Sequence, residues 1–322
     1  MKSGIAVAGS ILVDKLNEIS AYPNKGELVK IRKTGIAVGG CVPNVAIDLK
    51  KISAELPVYA IGKIGKDEEG EYVKKTLREN GVNADNIASD EEKTSFTEVM
   101  SVSGGQRTFF TYAGASAKFG YTDVPFENLN VQMLHLGYFL LLDKIDGGDG
   151  ELILKRAKER GIRTSIDLVS ENSERYALVL PCLKYTDNLI INETEAGKLT
   201  GISPEPENMR AVCEKLKDFG VKERVIIHCP EYGACFSESG FTVVPSYDLP
   251  KGFIEGTTGA GDAFCAGALT AIYEEKSDGE ILKFASACAV AALSAVDATS
   301  GLKNKTEILE NCKGLERKKI CW

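Results

Sequence analysis

The chain has 322 residues, of which 43% are hydrophobic, enough to bury one large core or one core with a small appendage. Thirty-nine basic and 46 acidic side chains give a formal net charge of −7, with no basic tract beyond Arg317-Lys318-Lys319, so we expect no nucleic-acid partner. Because no apolar run reaches transmembrane length and the amino end lacks a signal-type segment, the sequence predicts a cytoplasmic protein with no membrane partner.

Cysteine and histidine usage narrows the possible chemistry. The nine cysteines are scattered without a Cys-x-x-Cys pair, which argues against a disulfide framework and against a thiolate zinc site. The two histidines, His135 and His228, lie in different predicted strands and leave little material for a His-rich metal site or a serine-histidine triad. Both are expected to be structural, and the chemistry is expected to rest on carboxylates, backbone amides and glycines.

Strand-like apolar runs alternate with helical stretches along most of the chain. In chain order, the predicted elements are a helix at 45–52, a strand at 58–64, a helix at 68–80, a strand at 131–136, a helix at 150–160, strands at 162–168, 189–192 and 224–229, a helix from about 260, and helices at 279–296 and 305–315. The alternation predicts an α/β fold, a mostly parallel sheet with helices on both faces. No repeat or linker marks a cut, so one domain over residues 1–322 is expected.

Two segments interrupt this alternation, residues 11–38 and residues 95–112. In the second, Thr97–Val102 and Thr108–Tyr112 flank Gly104-Gly105, which is a hairpin signal. The two segments are expected either to form one small sheet outside the main one or to be a plain loop and an edge hairpin.

The segment Gly256–Asp262 precedes a predicted helix and carries the strongest chemical signal. Its glycines let backbone approach a ligand, and the free amides at a helix N-terminus bind phosphate oxygens. Asp262 is placed to take a proton from an attacking hydroxyl, while amides of Gly259, Ala260 and Gly261 stabilise a transferring phosphoryl group. The alternative is a glycine-rich turn with an aspartate that caps a helix.

Asn192 and Glu195 directly follow a predicted strand, at the end where open α/β sheets bind ligands. Glu195 is a candidate to hold Mg²⁺ through water. A capping pair at a helix start explains the same two residues equally well.

Near the amino end, Gly39-Gly40 precede the helix predicted at 45–52. The glycines would let a substrate lie against backbone, while Asn44 and Asp14 offer hydrogen-bonding groups to the hydroxyls of a polyol. The alternatives are a plain turn and a solvated loop aspartate.

In this order, the segments resemble the ribokinase-like carbohydrate kinases of the PfkB family over nearly the whole chain. The resemblance implies that ATP and Mg²⁺ are the cofactors and that Asp262 is the catalytic base. It implies that the sugar-like substrate is bound by Asp14, Gly39, Gly40 and Asn44. It implies that the nucleotide is bound by Asn192, Glu195, Gly233 and Thr258, with the metal at Glu195. The two irregular segments then form a β lid, which in many members is a homodimer interface.

Two departures from the family pattern lead to further expectations. Gly256 stands where some members have an aspartate that helps to hold a monovalent cation, so we expect weak potassium dependence. Pro230–Gly233 stands where members commonly have a Gly-x-x-Gly turn near the nucleotide base.

The bound sugar is expected to be neutral, because Arg107 and Lys63 are the only basic side chains that the sequence nominates near the substrate residues. Two other functions stay open. A nucleoside kinase of the same fold would be favoured by an aromatic stacking partner in the lid, from Phe96, Phe109 or Tyr112. The other is a non-catalytic protein that responds to a sugar or a nucleotide.

Overall fold

The computed structural model describes residues 2–102, 107–171 and 173–320. Its strands are β1 (Ile5–Gly9), β2 (Leu12–Ile19), β3 (Ile31–Gly39), β4 (Val58–Gly65), β5 (Asn83–Asp90), β6 (Ser95–Val102), β7 (Arg107–Tyr112), β8 (Met133–Phe139), β9 (Arg163–Leu168), β10 (Asn188–Asn192), β11 (Arg224–His228), β12 (Tyr232–Ser237) and β13 (Gly240–Pro245). Its α-helices are α1 (Cys41–Ile52), α2 (Glu68–Glu79), α3 (Gly150–Glu159), α4 (Leu180–Leu183), α5 (Glu193–Thr200), α6 (Met209–Asp218), α7 (Ala260–Tyr273), α8 (Asp278–Leu293) and α9 (Lys305–Asn311).

The main sheet has nine strands in the order β13-β12-β11-β10-β9-β8-β1-β4-β5. Every neighbouring pair from β11 to β5 is parallel, whereas β12 and β13 add an antiparallel edge. The predicted α/β architecture with a mostly parallel sheet is therefore confirmed. Because the carboxyl ends of parallel strands share one edge, the sheet brings together five residues that are distant in sequence: Gly9, Tyr138, Asp167, Asn192 and His228.

The sheet is buried on both faces, as a parallel sheet requires. All five residues of β1 are buried, and alternate ones belong to two different core clusters. Helices α1, α2, α7, α8 and α9 contribute to one cluster, and α3 to α6 contribute to the other. Helices therefore cover both faces, as the alternating pattern predicts. None of the described helices is long and apolar enough to span a bilayer.

Helix α7 approaches α8 closely because both are rich in small residues. A Cβ atom on Gly267 would lie only 2.8 Å from the Cys288 sulfur. Residues 262–272 of α7 are all buried, so the amino end of this helix is held firmly against the sheet. The last helix, α9, ends four residues before the predicted end, and Gly314 follows it with a φ of +84°.

The two segments that interrupt the alternation form a separate four-stranded sheet in the order β3-β2-β6-β7. Strands β2 and β6 are parallel, and the other two pairs are antiparallel. The first of the two expectations, one small sheet outside the main one, is therefore correct. The predicted turn Gly104-Gly105 lies outside the described residues.

Candidate active site

Several cavities lie close to the amino terminus of α7. The small-sheet cavity, about 370 Å³, lies under β2, β3, β6 and β7 and includes Asp14 and Thr258 in its wall. The central cavity, about 190 Å³, contains Asp262 and the carboxyl ends of β8 to β11. The outer cavity, about 580 Å³, shares Gly261 and His228 with the central one. Ligands in all three would approach the same helix end.

The amino terminus of α7 has the backbone geometry of an anion site. Gly259 caps the helix with a φ of +79°, and a Cβ there would lie 2.5 Å from the Ala298 backbone, so only glycine fits. The amides of Gly261 and Asp262 follow in the first turn, where helix geometry supplies no acceptor. They are free to donate hydrogen bonds to an anion, with the helix dipole behind them.

Asp262 is a buried carboxylate with two hydrogen-bond donors. The Asn44 side-chain amide donates to it (2.9 Å), and the Tyr138 hydroxyl donates to both of its oxygens (3.0 and 3.1 Å). Burial and the nearby charge of Asp167 raise the pKa of Asp262 to about 7, although the two donors lower it. A carboxylate that titrates near neutrality is suited to accept a proton from a hydroxyl.

Two hydrogen-bond acceptors near this base have no partner within the described part of the chain. The Asn44 amide oxygen is buried and accepts nothing, although its NH₂ group binds Asp262. Burial raises the pKa of Asp14 to about 6, and no described residue donates to its carboxylate. An unpaired buried acceptor is costly, so the Asn44 oxygen is suited to take a hydrogen bond from a ligand's hydroxyl. The half-buried Asp14, which lines the small-sheet cavity, can do the same.

Gly39 and Gly40 act through their neighbours. A Cβ on Gly39 would lie 2.5 Å from an Asp14 carboxylate oxygen, and a Cβ on Gly40, which has a φ of +87°, would lie 2.7 Å from the Ser10 carbonyl oxygen. Neither is among the described residues that line the small-sheet cavity. The glycines make room for Asp14 and for the start of α1, and the direct substrate contact expected of them stays a prediction.

Asn192 and Glu195 form a capping box at the start of α5. The Asn192 side chain accepts from the Glu195 amide (2.9 Å), and the Glu195 carboxylate accepts from the Asn192 amide (3.0 Å) and from Ser170 Oγ (2.8 Å). The capping explanation is therefore correct. Both residues also line the central cavity, so their predicted contact with a ligand is compatible with capping and stays a prediction. Burial raises the pKa of Glu195 to about 7, and a nearby cation would favour its ionised form.

A hydrogen-bonded network under Asp262 is not evident from the sequence. His135 Nε2 lies 3.3 Å from an Asp167 carboxylate oxygen and 3.6 Å from the Cys265 sulfur, and its Nδ1 lies 3.0 Å from the Ser165 hydroxyl. The His135 ring nitrogen, the Asp167 carboxylate and the Cys265 sulfur lie within 4.8 Å of one another, close enough to hold a metal ion together. The same atoms are already joined by these hydrogen bonds. His135 is therefore a structural histidine, as expected.

His228 lies at the carboxyl end of β11 and lines both the central and the outer cavity. Its ring packs on Phe264 with centroids 4.8 Å apart, and burial lowers its pKa to about 4, so it is neutral. His228 was not predicted to be a site residue, although its place at the end of a predicted strand is a signal for one.

The outer cavity suits a planar base with phosphates attached. Ala260 and Gly261, at the start of α7, are part of its wall, which is largely apolar and also contains Tyr247, Leu249, Ile254, Phe264, Val290 and Leu293. Two predicted nucleotide residues lie elsewhere. Gly233 is buried in β12, where a Cβ would lie 3.2 Å from Leu282, and Thr258 faces the small-sheet cavity, where it accepts a hydrogen bond from Arg107 (2.6 Å).

Two cationic side chains, Lys33 and Arg107, line the small-sheet cavity. Arg107 was nominated from the sequence, whereas Lys33 was missed because only the sheet register brings β3 over the cavity. Lys63, the other nominated cation, forms an ion pair with Asp123 (2.9 Å) and is structural.

Comparison with known proteins gives a consistent result. The model of the pfkB family carbohydrate kinases matches residues 3–305. The chain is 27% identical over 313 residues to a ribokinase of Arabidopsis thaliana, covering 96% of this chain and 81% of that protein. It is 27% identical over 303 residues to fructokinase-2 of Oryza sativa subsp. japonica, covering 87% and 85%. The solved structure of Arabidopsis thaliana ribokinase complexed with ribose and ATP has the same fold, with a TM-score of 0.81, 24% identity and coverage of 97% and 99%.

Proposed function

The chain belongs to the pfkB family of carbohydrate kinases, and from that premise we propose that it transfers the γ-phosphoryl group of ATP to a hydroxyl of a sugar or sugar-like compound. The acceptor oxygen bonds to the γ-phosphorus as the bond from that phosphorus to the β–γ bridging oxygen breaks, and ADP leaves. Asp262 takes the proton of the acceptor hydroxyl. Amides of the Gly259–Gly261 segment and of Asp262 stabilise charge on the transferred group.

The observation that carries this proposal is the set of unpaired acceptors beside a buried base. The Asn44 amide oxygen is buried and lacks a donor in the described structure, and Asn44 is itself bound to Asp262. Asp14 is half-buried and lines the small-sheet cavity, where its carboxylate can accept hydrogen bonds. A polyol has several hydroxyl donors and would satisfy both groups while it presents another hydroxyl to the base. The neighbouring helix end and the outer cavity suit the phosphates and base of ATP.

The residues of the central cavity fit a Mg²⁺ ion. Glu195 is a buried carboxylate with a raised pKa, and oxygen ligands held through water are typical for this metal. We propose that Glu195 and Asn192 hold the ion's water shell. When bound, Mg²⁺ neutralises phosphate charge.

The expected acceptor is a neutral sugar. Three carboxylates, those of Asp14, Glu18 and Asp297, line the small-sheet cavity beside Lys33 and Arg107, and this balance disfavours a dianionic sugar phosphate.

One observation favours a nucleoside as a second candidate. The Phe109 ring is 59% exposed and lines the same cavity, where a base would stack on it. The other two aromatic candidates, Phe96 and Tyr112, pack on each other with centroids 5.3 Å apart and are not among the described residues that line this cavity.

The test is ATP consumption with Mg²⁺ across ketohexoses, aldopentoses, sugar acids, nucleosides and their monophosphates. Turnover of free sugars supports the proposal, and turnover of nucleosides alone, lost in Phe109→Ala, supports the second candidate. Efficient turnover of phosphorylated acceptors alone contradicts the neutral pocket. No turnover across the panel favours the non-catalytic sensor.

The base is tested separately with the variant Asp262→Asn, which keeps the shape of the side chain. We expect kcat to fall by at least about 10²-fold, the scale of general-base catalysis, with little change in nucleotide affinity measured by calorimetry. Near-normal turnover would remove Asp262 from this role.

We also propose that the small sheet is the lid of one kinase domain, with strands from residues 11–38 and 95–112, and that a second copy of the chain binds to it. On this sheet Ile36 and Phe110 are 50% and 59% exposed. Lys15 pairs with Ile36 across the sheet, and Glu98 pairs with Phe110. Paired residues lie on the same face of a sheet, so all four lie on the face opposite to the small-sheet cavity. Light scattering of wild type and of Phe110→Asp tests the dimer, and a monomeric wild type contradicts it.

A further inference from the structure

The end of strand β8 and the residue that follows it have unusual backbone geometry beside the central cavity. Tyr138 and Leu140 have φ values of +60° and +75°, which non-glycine residues rarely adopt. Such conformations persist only where neighbours hold them. Here Asp167 accepts from the Tyr138 amide (2.6 Å), Asp146 accepts from the Leu140 amide (2.8 Å), and Arg175 donates to the Leu140 carbonyl (2.8 Å).

The result of this geometry is the position of one hydroxyl. Tyr138 lines the central cavity, and its OH group lies 3.0 and 3.1 Å from the two oxygens of Asp262. A donor shared between both oxygens stabilises the carboxylate more than the protonated acid, because the acid offers one acceptor fewer. Asn44 supplies the only other donor to this carboxylate among the described residues.

The surroundings of Asp262 otherwise oppose its ionised form. It is 7% exposed, and the charge of Asp167 disfavours a second negative charge nearby. The titratable groups packed around it are Asp14 on β2, Cys41 and Asp48 on α1, His135 on β8, Asp167 on β9, His228 on β11 and Cys265 on α7. No lysine or arginine is among these groups, so the stabilisation of the Asp262 carboxylate falls to hydrogen-bond donors.

We propose that Tyr138 is a positioning residue for the phosphoryl transfer, whose hydroxyl holds the Asp262 carboxylate in its ionised form. The proposal rests on the role of Asp262 as base. It assigns a purpose to the strained turn of β8, since a relaxed strand would alternate its side chains and direct Tyr138 differently. It also explains why Asp167, which opposes ionisation of Asp262 by its charge, is placed there: its other task is to hold the Tyr138 amide.

The test is the pH profile of kcat/KM for the acceptor at saturating MgATP, in wild type and in Tyr138→Phe. Loss of a hydrogen bond to a charged group should move the acid limb upward by about 1–2 pH units. The variant should therefore be about 10- to 100-fold slower at pH 6 and approach wild type above the limb. Asp14 and Glu195 titrate in the same range, so the difference between variants is the readout.

Tyr273→Phe is the matched control, because its hydroxyl binds the Gly4 amide (3.2 Å) instead of Asp262. Its acid limb should coincide with that of wild type. An unmoved limb in Tyr138→Phe, or a loss of equal size at every pH, overturns the proposal.

A second variant covers the case in which Tyr138→Phe does not fold. Fluorotyrosine placed at position 138 by amber suppression is a stronger acid and a stronger donor, so the limb should move to lower pH. A limb that stays in place or moves upward contradicts the proposal. If Asp262→Asn retains turnover, the base assignment itself fails. If that variant is inactive but the Tyr138 variants leave the limb unmoved, only the present inference fails.

Discussion

Asp48 is a buried carboxylate whose removal should stabilise the protein. It lies inside α1 with 0% exposure, and neither of its oxygens has a hydrogen-bond partner in the described structure. Burial raises its pKa well above the usual value, and the charge of Asp262 adds to this shift. Lys51, one turn away, donates to the Thr299 carbonyl and not to Asp48.

The size of the effect of Asp48→Ala follows from two opposing contributions. An unsatisfied buried polar group costs about 1–3 kcal/mol, and alanine also has the highest helix propensity. The small cavity left behind costs less than about 1 kcal/mol. We therefore expect a net gain of about 1–2 kcal/mol near pH 5, or about 1.5–3 °C in Tm for a chain of this length.

The gain should depend on pH with a definite sign. Because the carboxyl of Asp48 has a higher pKa in the folded than in the unfolded chain, the native state binds its proton more tightly. The stability of wild type therefore falls as pH rises above the unfolded value of about 3.9, by up to about 1.4 kcal/mol per pH unit, until the folded pKa is reached. Asp48→Ala removes this loss, so its advantage should be larger at pH 8 than at pH 5.

Differential scanning calorimetry at both pH values measures the effect. Asp218→Ala, at the exposed end of α6, is the control for helix propensity and should give a small shift that does not grow with pH. A lower Tm in Asp48→Ala, or an advantage that shrinks at pH 8, would mean that the carboxylate has a favourable partner in the native protein and that this reasoning is wrong.

Three further predictions concern the site. Gly39→Ala places a Cβ 2.5 Å from an Asp14 oxygen, so KM for the acceptor should rise at least about tenfold while KM for ATP stays within about twofold. Steady-state kinetics measure both constants, and an unchanged acceptor KM contradicts the role of Asp14. Glu195→Gln should raise the half-saturating Mg²⁺ concentration about tenfold, measured by metal titration of activity, and an unchanged value would exclude Glu195 as a metal residue. Replacing K⁺ by a large organic cation should change kcat less than about threefold, because position 256 is a glycine and offers no carboxylate to a cation. A side chain would not fit there, since a Cβ on Gly256 would lie 2.7 Å from the Ala295 carbonyl oxygen. A steep, saturable dependence on K⁺ would contradict this prediction.

Much of the fold could be predicted because its signals are local. Helices and buried strands carry their own periodicity, and the predicted α/β alternation is present in the structure. Strand β5 was not predicted, because its Asn and Asp residues have low strand propensity. In the structure, pairing with β4 overrides this low propensity. The antiparallel edge of β12 and β13 was also missed, since the direction of a strand is not a local property.

The sequence by itself determined the parts of the site that one or two turns of backbone define. Gly259 and Asp262 belong to one helix start, and Asn192 and Glu195 to another, so their geometry follows from neighbours in the chain. Tyr138 and Asp262 are 124 residues apart, and only the order of strands in the sheet, with α7 packed across it, brings them to 3.0 Å. The direction of Thr258 and the contact of Gly39 with Asp14 likewise depend on packing between elements, which no local pattern records, because register and layer packing are properties of the whole assembled core.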